Sequence, residues 1–187
     1  MRRKTFDVLF EPAAGLTALV KQPSLWRSGY YFTLSVGLFT GVITNTWLLQ
    51  QTLQFRFAVI AAVVLVTITT LTLYGFLLHG ILETFSEVHG DPVGLICLLG
   101  YTTLPFLALT PAALLTTRLG MQGLPWLLLV ILAGAIWMLF LLVRSLEVVY
   151  ILDVWRAGTT VLFSLLLLYI VFVLPWQLGI TVLLSHF

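Results

Sequence analysis

Charge is what this sequence has least of. Of its 187 residues, 9% are Asp, Glu, Lys or Arg, against 60% that are apolar. An ordinary soluble domain carries about 25% charged residues. So small a charged complement cannot cover a water-facing surface of this size. Seven acidic and nine basic side chains leave a net charge of +2, which gives no footprint for nucleic acid. There is one cysteine, Cys97, so no disulfide can form within the chain and the redox compartment stays open. In its apolar setting it reads as small core filler. Catalytic signatures are missing as well. There is no Gly-x-Ser-x-Gly, no glycine-flanked intramembrane serine and no glycine-rich phosphate loop. The stretches between apolar blocks are too short for an extramembrane catalytic domain. These absences describe a protein that is not an enzyme and needs no cofactor.

What is abundant is uninterrupted apolar sequence. Five blocks, at about 30–49, 57–78, 93–116, 124–143 and 161–184, contain no Asp, Glu, Lys or Arg. A helix needs roughly 20 residues to cross the hydrocarbon, and each block supplies them. Barrel strands would alternate polar and apolar residues, and these blocks do not. The expected fold is therefore all-α: a polytopic membrane bundle of five transmembrane helices. Residues 1–28 form an N-terminal segment with a short interfacial helix, and 29–187 form the membrane domain.

Basic residues orient such a bundle, being retained on the cytoplasmic side. Arg2, Arg3, Lys4, Lys21 and Arg27 precede the first block, and Arg144 and Arg156 lie between the fourth and fifth. Only Arg56 and Arg118 fall on the other side. Seven against two places the N-terminus in the cytoplasm and the C-terminus outside. Trp26, Tyr30, Tyr31, Trp47, Trp126, Tyr150 and Trp155 lie near block ends, where amphipathic rings favour the interface. The opening Met-Arg-Arg-Lys is followed by neither an apolar signal core nor a small-residue cleavage site, so the N-terminus reads as retained.

Within the first 28 residues, Phe6, Leu9, Phe10, Ala13, Leu16 and Val20 recur at helical spacing. Pro12 suits a first turn and Pro23 a stop. The stripe predicts a helix lying on the cytoplasmic leaflet or packed on the ends of the bundle. Residues 144–156 also read as helical, extending the fourth span to a break at Gly158. Arg144 with Glu147, and Asp153 with Arg156, are spaced for local ion pairs.

The densest polar stretch is His79 to Asp91, between the second and third blocks. His79, Glu83 and Glu87 are each four apart and share a face if the helix continues. With His89 they form a set of candidate ligands for zinc or manganese, although the His-Glu-x-x-His spacing is absent. The plainer readings are a solvated helix end, or a contact with a partner or with the 144–156 segment, since the loop carries carboxylates and no cation.

Inside the blocks, Thr67, Thr69, Thr70 and Thr72 crowd the second, where threonine can bond back to its own helix. Gly37-x-x-x-Gly41 in the first is a motif for close helix approach. Pro105 and Pro111 interrupt the third block and Pro175 the fifth, each removing a backbone hydrogen bond. Broken helices build substrate sites in some transporters. A small transporter, channel or permease subunit working as an oligomer is therefore an alternative to a protein that organises partners or lipids.

Several elements together resemble a known family. Phe10-x-Pro12 followed by Lys21-Gln22-Pro23 precedes the first block. His89-Gly90-Asp91-Pro92-Val93-Gly94 forms a turn after Leu78-His79. Gly100-Tyr101-Thr102-Thr103-Leu104-Pro105 follows, then Trp137, then Trp155-Arg156-Ala157. In order and spacing these are similar to the Yip family, polytopic membrane proteins named for interaction with Ypt/Rab GTPases. The resemblance implies a five-span domain with a cytoplasmic N-terminus. Its short N-terminal region is more similar to bacterial members, which implies a bacterial plasma membrane and no Rab-type partner. The partners implied are membrane lipids, other membrane proteins or further copies of the chain.

Overall fold

The computed structural model describes residues 7–48, 51–86 and 89–173. After a helical turn over 7–10, the helices are α1 (Pro12–Val20), α2 (Leu25–Trp47), α3 (Leu53–Ser86), α4 (Pro92–Tyr101), α5 (Leu104–Arg118), α6 (Leu124–Tyr150) and α7 (Val154–Leu168). A short 3-10 turn, Gly120–Gly123, joins α5 to α6, and α7 continues as a π turn, Tyr169–Val173. Among the described residues there is no strand. Four helix starts carry side-chain caps that satisfy otherwise orphaned amides, among them α3, where the Phe55 N–H donates to Thr52 Oγ1 at 3.3 Å. The Arg27 N–H donates to Ser24 Oγ at 3.4 Å, Val93 N–H to Asp91 Oδ1 at 3.0 Å, and Trp155 N–H to Asp153 Oδ2 at 3.4 Å.

Four stretches are long and apolar enough to cross a membrane: Leu53–Thr84, Pro92–Arg118, Leu124–Tyr150 and Val154–Val171. The chain is a multi-pass membrane protein. The first sequence block is the exception. At 23 residues, α2 reaches roughly 35 Å and exceeds the roughly 30 Å of hydrocarbon. Its apolar content is diluted by Ser28, Thr33, Ser35, Thr40, Thr44 and Asn45, and it does not reach the apolarity of the other four. It packs on three neighbours, α3, α4 and α5. The Ser35 and Thr44 hydroxyls donate back to the Tyr31 and Thr40 carbonyls at 2.7 and 2.9 Å. By contrast α3 leaves Leu65, Val66 and Leu73 outward. Its Thr67, Thr69 and Thr72 hydroxyls bond back to its own carbonyls at 2.7–2.9 Å, the arrangement expected for threonine in lipid.

Element boundaries differ from the apolar blocks in instructive ways. At 34 residues, α3 is roughly 51 Å long, about 20 Å more than hydrocarbon demands. Apolarity reports which residues meet lipid, not where backbone hydrogen bonding ends. The third block is two helices, parted at Thr102–Thr103 rather than at a proline. Pro105 occupies the first turn of α5, where its missing N–H has no role, and Pro111 lies inside α5. The break is buried, and the Thr102 and Thr103 hydroxyls donate to the Leu99 and Gly100 carbonyls at 2.7 and 2.8 Å. Pro175 lies outside the described residues. The break expected at Gly158 occurs earlier, at Ile151, whose φ is 54°. Gly158 sits inside α7.

The N-terminal segment packs on the flank of the bundle. Val8, Leu9 and Leu16 are buried against Leu98, Tyr101, Leu104 and Leu141. Pro12 stands in the first turn of α1, as its place in the sequence led us to expect, but the apolar stripe ahead of it does not run on into that helix. The chain instead reverses at Glu11, where φ and ψ leave the helical region. A Cβ at Gly15 would stand 2.6 Å from the Val8 backbone nitrogen, so only glycine lets the two turns close. Val8 therefore takes the buried place and Phe10 is 81% exposed. Arg2, Arg3, Lys4 and Phe6 lie outside the described residues.

Candidate functional site

The bundle end that carries the N-terminal segment holds nearly all the ionisable side chains. Its core joins the last turns of α3 and α6 to the first turns of α4 and α7, through Leu78, Leu82, Leu95, Leu146, Tyr150 and Ala157. Leucine at helical spacing on α3 and α6 supplies this face. The polar groups lie around and within it.

The His79 ring, half-buried on α3, places Nδ1 2.7 Å from the Tyr150 hydroxyl at the last turn of α6. Its Nε2 lies 3.6 Å from Glu83 Oε2, one turn further along α3. Gly90, in the turn before α4, lies against the Tyr150 ring so closely that any Cβ there would collide with it. Tyr150 is thus held on two sides, by the imidazole and by the glycine backbone. Next to it, Asp91 caps α4. A second buried polar pair, Tyr74 Oη and Ser164 Oγ at 2.7 Å, ties α3 to α7.

On α6, the Arg144 guanidinium donates to Glu147 Oε2 at 2.7 Å and stands 5.3 Å from the Phe140 ring centroid. The ion pair predicted from the spacing is therefore made. Glu147 is mostly buried, with a side chain 13% exposed. Its other oxygen, Oε1, has no partner among the described residues. The second predicted pair, Asp153 with Arg156, is not the contact shown: Asp153 turns to the α7 amides as a cap. An N-cap satisfies a helix amide at no cost in long side-chain entropy, and it wins that competition.

The four candidate metal ligands are only partly gathered. His79 and Glu83 face each other. His89 is exposed on the turn past α3, and Glu87 lies outside the described residues. Among the described residues no three His, Cys, Asp or Glu side chains are grouped to hold a metal. Contact between this polar stretch and the 144–156 segment is made, but through Tyr150 rather than an arginine. Nothing in sequence pairs positions 71 apart; the only signal was the expected interfacial place of the tyrosine.

A family model described as the Yip1 domain matches residues 6–175. The chain belongs to the Yip1 domain family. No curated protein and no solved structure matches it. In this Yip1 domain most of the resembling residues do packing work. Gly90 seats Tyr150, Tyr101 stacks on Tyr31 at 5.8 Å, Pro105 is buried at the α4–α5 break, and Trp137 packs against the cluster around Leu141. Trp155 differs, standing 81% exposed at the start of α7.

Proposed function

We propose that this chain is a five-span membrane protein that organises a membrane protein, a second copy of itself or lipids at its cytoplasmic end, without turnover of its own. The observation that carries this reading is the use made of the polar groups there. His79 and Tyr150 bond each other, Asp91 and Asp153 cap helices, and Arg144 holds Glu147. Each serves shape. What remains outward is surface: Ile151 at 91% and Trp155 at 81% exposure, on the end that also carries Glu83 and Asp153. Tyr150 lies seven residues past the last apolar-block residue, Val143, roughly 10 Å beyond the hydrocarbon. Large apolar side chains exposed there suit contact with a partner.

Five crossings are supported by the length of α2 and by its self-satisfied hydroxyls, which remove the main cost of polar atoms in lipid. The basic-residue asymmetry supports a cytoplasmic N-terminus, and the resemblance to bacterial members supports a bacterial plasma membrane. Purification from native membranes tests the role. A stoichiometric protein or lipid companion that is lost when Ile151 and Trp155 are both changed to Asp supports it. Identical recovery of companions by parent and variant, or turnover of a substrate by the purified chain, counts against it.

A second reading has one observation in its favour. His79 Nε2 and Glu83 Oε2 lie 3.6 Å apart on one face of α3, and with Glu87 and His89 they would offer a zinc or manganese site. Less than about a tenth of an equivalent of metal in the purified protein removes it. The α4–α5 break lends less to a transport role, because its threonine hydroxyls turn back onto the Leu99 and Gly100 carbonyls rather than into an open path.

A further inference from the structure

The opposite end of the bundle carries two arginines and an open groove that the reading above does not use. A cavity of about 700 Å³ lies between α2, α3 and α5. Its mouth is polar, formed by Asn45, Arg56 and Arg118, and its walls run into apolar residues including Leu38, Phe57, Ile60 and Leu114. From Asn45 to Gly37 it follows eight residues of α2, roughly 12 Å of helix.

The two glycines of Gly37-x-x-x-Gly41 line this groove. They do not bring backbones together as the motif suggests. A Cβ added at Gly41 would first meet Ile60 Cδ1 at 3.7 Å, and one at Gly37 would meet Val64 Cγ2 at 3.9 Å. Both are ordinary contact distances, so methyl groups would fit. What the missing side chains leave is room.

The charge at the mouth is unbalanced. Arg56 donates to the Asn45 amide oxygen at 2.7 Å, while its Nε is buried without a partner among the described residues. No carboxylate lines the cavity. The six acidic side chains among the described residues lie in the segment before α2, in the last turn of α3, at the cap of α4 or at the α6–α7 end, which is the other end of the bundle. The countercharge must therefore come from outside the protein. At the end of a membrane helix the anion at hand is a lipid phosphate, and its acyl chain would continue into the apolar groove beneath.

We propose that this groove is a glycerophospholipid site, with the phosphate between Arg56 and Arg118 and one acyl chain along Gly37 and Gly41. It lies in the leaflet opposite the N-terminal segment and is independent of the cytoplasmic surface. Arginine suits the role because its planar fork binds phosphate oxygens in pairs, which lysine does not.

The test is binding to the detergent-purified full chain of three probes: phosphatidylglycerol, diacylglycerol and glycerol 3-phosphate. Phosphatidylglycerol should be retained and the two fragments should not. Arg118→Gln, at an exposed position and so without consequence for folding, should weaken phosphatidylglycerol about tenfold, and Arg56→Gln likewise. Gly41→Leu should displace the lipid by filling the groove, with the helical content unchanged. Equal binding of diacylglycerol, unchanged affinity in Arg118→Gln, or a lipid retained by Gly41→Leu would each overturn the assignment.

Discussion

The His79 imidazole and the Tyr150 hydroxyl meet at 2.7 Å across 71 positions of sequence, and that bond joins the last turns of the two longest helices. Tyr150 is buried while His79 is only half-buried, so the imidazole keeps some access to water. The bond's net worth is therefore that of an ordinary protein hydrogen bond. Tyr150→Phe keeps the ring against Gly90 and removes only the hydroxyl. It should cost about 1 kcal/mol and lower the Tm in detergent by about 2–4 °C. His79→Ala combined with Tyr150→Phe should cost less than the two changes summed, because both remove the same bond. Strict additivity in that cycle would show that the contact carries no energy.

Arg144 and Glu147 give a sharper test, since one partner is mostly buried. Arg144→Met leaves the Glu147 carboxylate beside apolar neighbours with no countercharge. It should cost about 3 kcal/mol. Arg144→Met with Glu147→Leu removes both charges and should recover most of that loss. Thermal unfolding of the three variants decides the matter. A double variant as unstable as the single one would mean that the Arg144 guanidinium acts on the Phe140 ring rather than by neutralising Glu147.

Much of this arrangement was legible in the sequence, for physical reasons that also explain what was not. Lipid imposes a long apolar run, so α3, α6 and the start of α7 could be located from composition. Apolarity is silent on where a helix stops outside lipid, so α3 overran its block to Ser86 and α6 was ended by Ile151 rather than Gly158. Proline was read as the breaker of the third block. The break instead falls at two threonines whose hydroxyls bond back to the carbonyls of the preceding turn, and Pro105 lies in the first turn of the next helix. The helix start at Pro12 was legible from the proline itself, whereas the turn before it, closed by Gly15 against Val8, was something periodicity could not register. At the polar end, Arg144–Glu147 was visible because local spacing dictates it. His79–Tyr150 was not, because two helices meet there only through tertiary packing. Gly37-x-x-x-Gly41 was visible as a motif, but whether it closes or opens a contact depends on how α3 leans.

Ile151 is the one non-glycine residue with positive φ among those described, at 54°. A β-branched side chain in the left-handed region costs about 1–2 kcal/mol. It is 91% exposed, so little packing offsets that strain. Ile151→Gly should stabilise the chain by about 0.5–1 kcal/mol after the entropy cost of glycine. An unchanged or lower Tm in detergent would place Ile151 in a contact that compensates. If the same variant loses a companion held by the parent, the strain is retained for binding.

Side-specific labelling decides how many times the chain crosses. Cys97 is the single cysteine and is buried, so Cys97→Ala provides a background for cysteines placed one at a time. Lys21, Gln51, Glu83 and Gln122 are all exposed. With α2 as a span, Lys21→Cys and Glu83→Cys should share one side, and Gln51→Cys and Gln122→Cys the other. An impermeant maleimide added to intact cells should then label the second pair alone, and the first pair only after the membrane is opened. If α2 lay along the membrane instead, Lys21→Cys and Gln51→Cys would react together. The basic residues give the sense of the result: seven of nine lie on the side of Lys21, and retention of that charge in the cytoplasm predicts that Gln51→Cys and Gln122→Cys are the pair reached from outside.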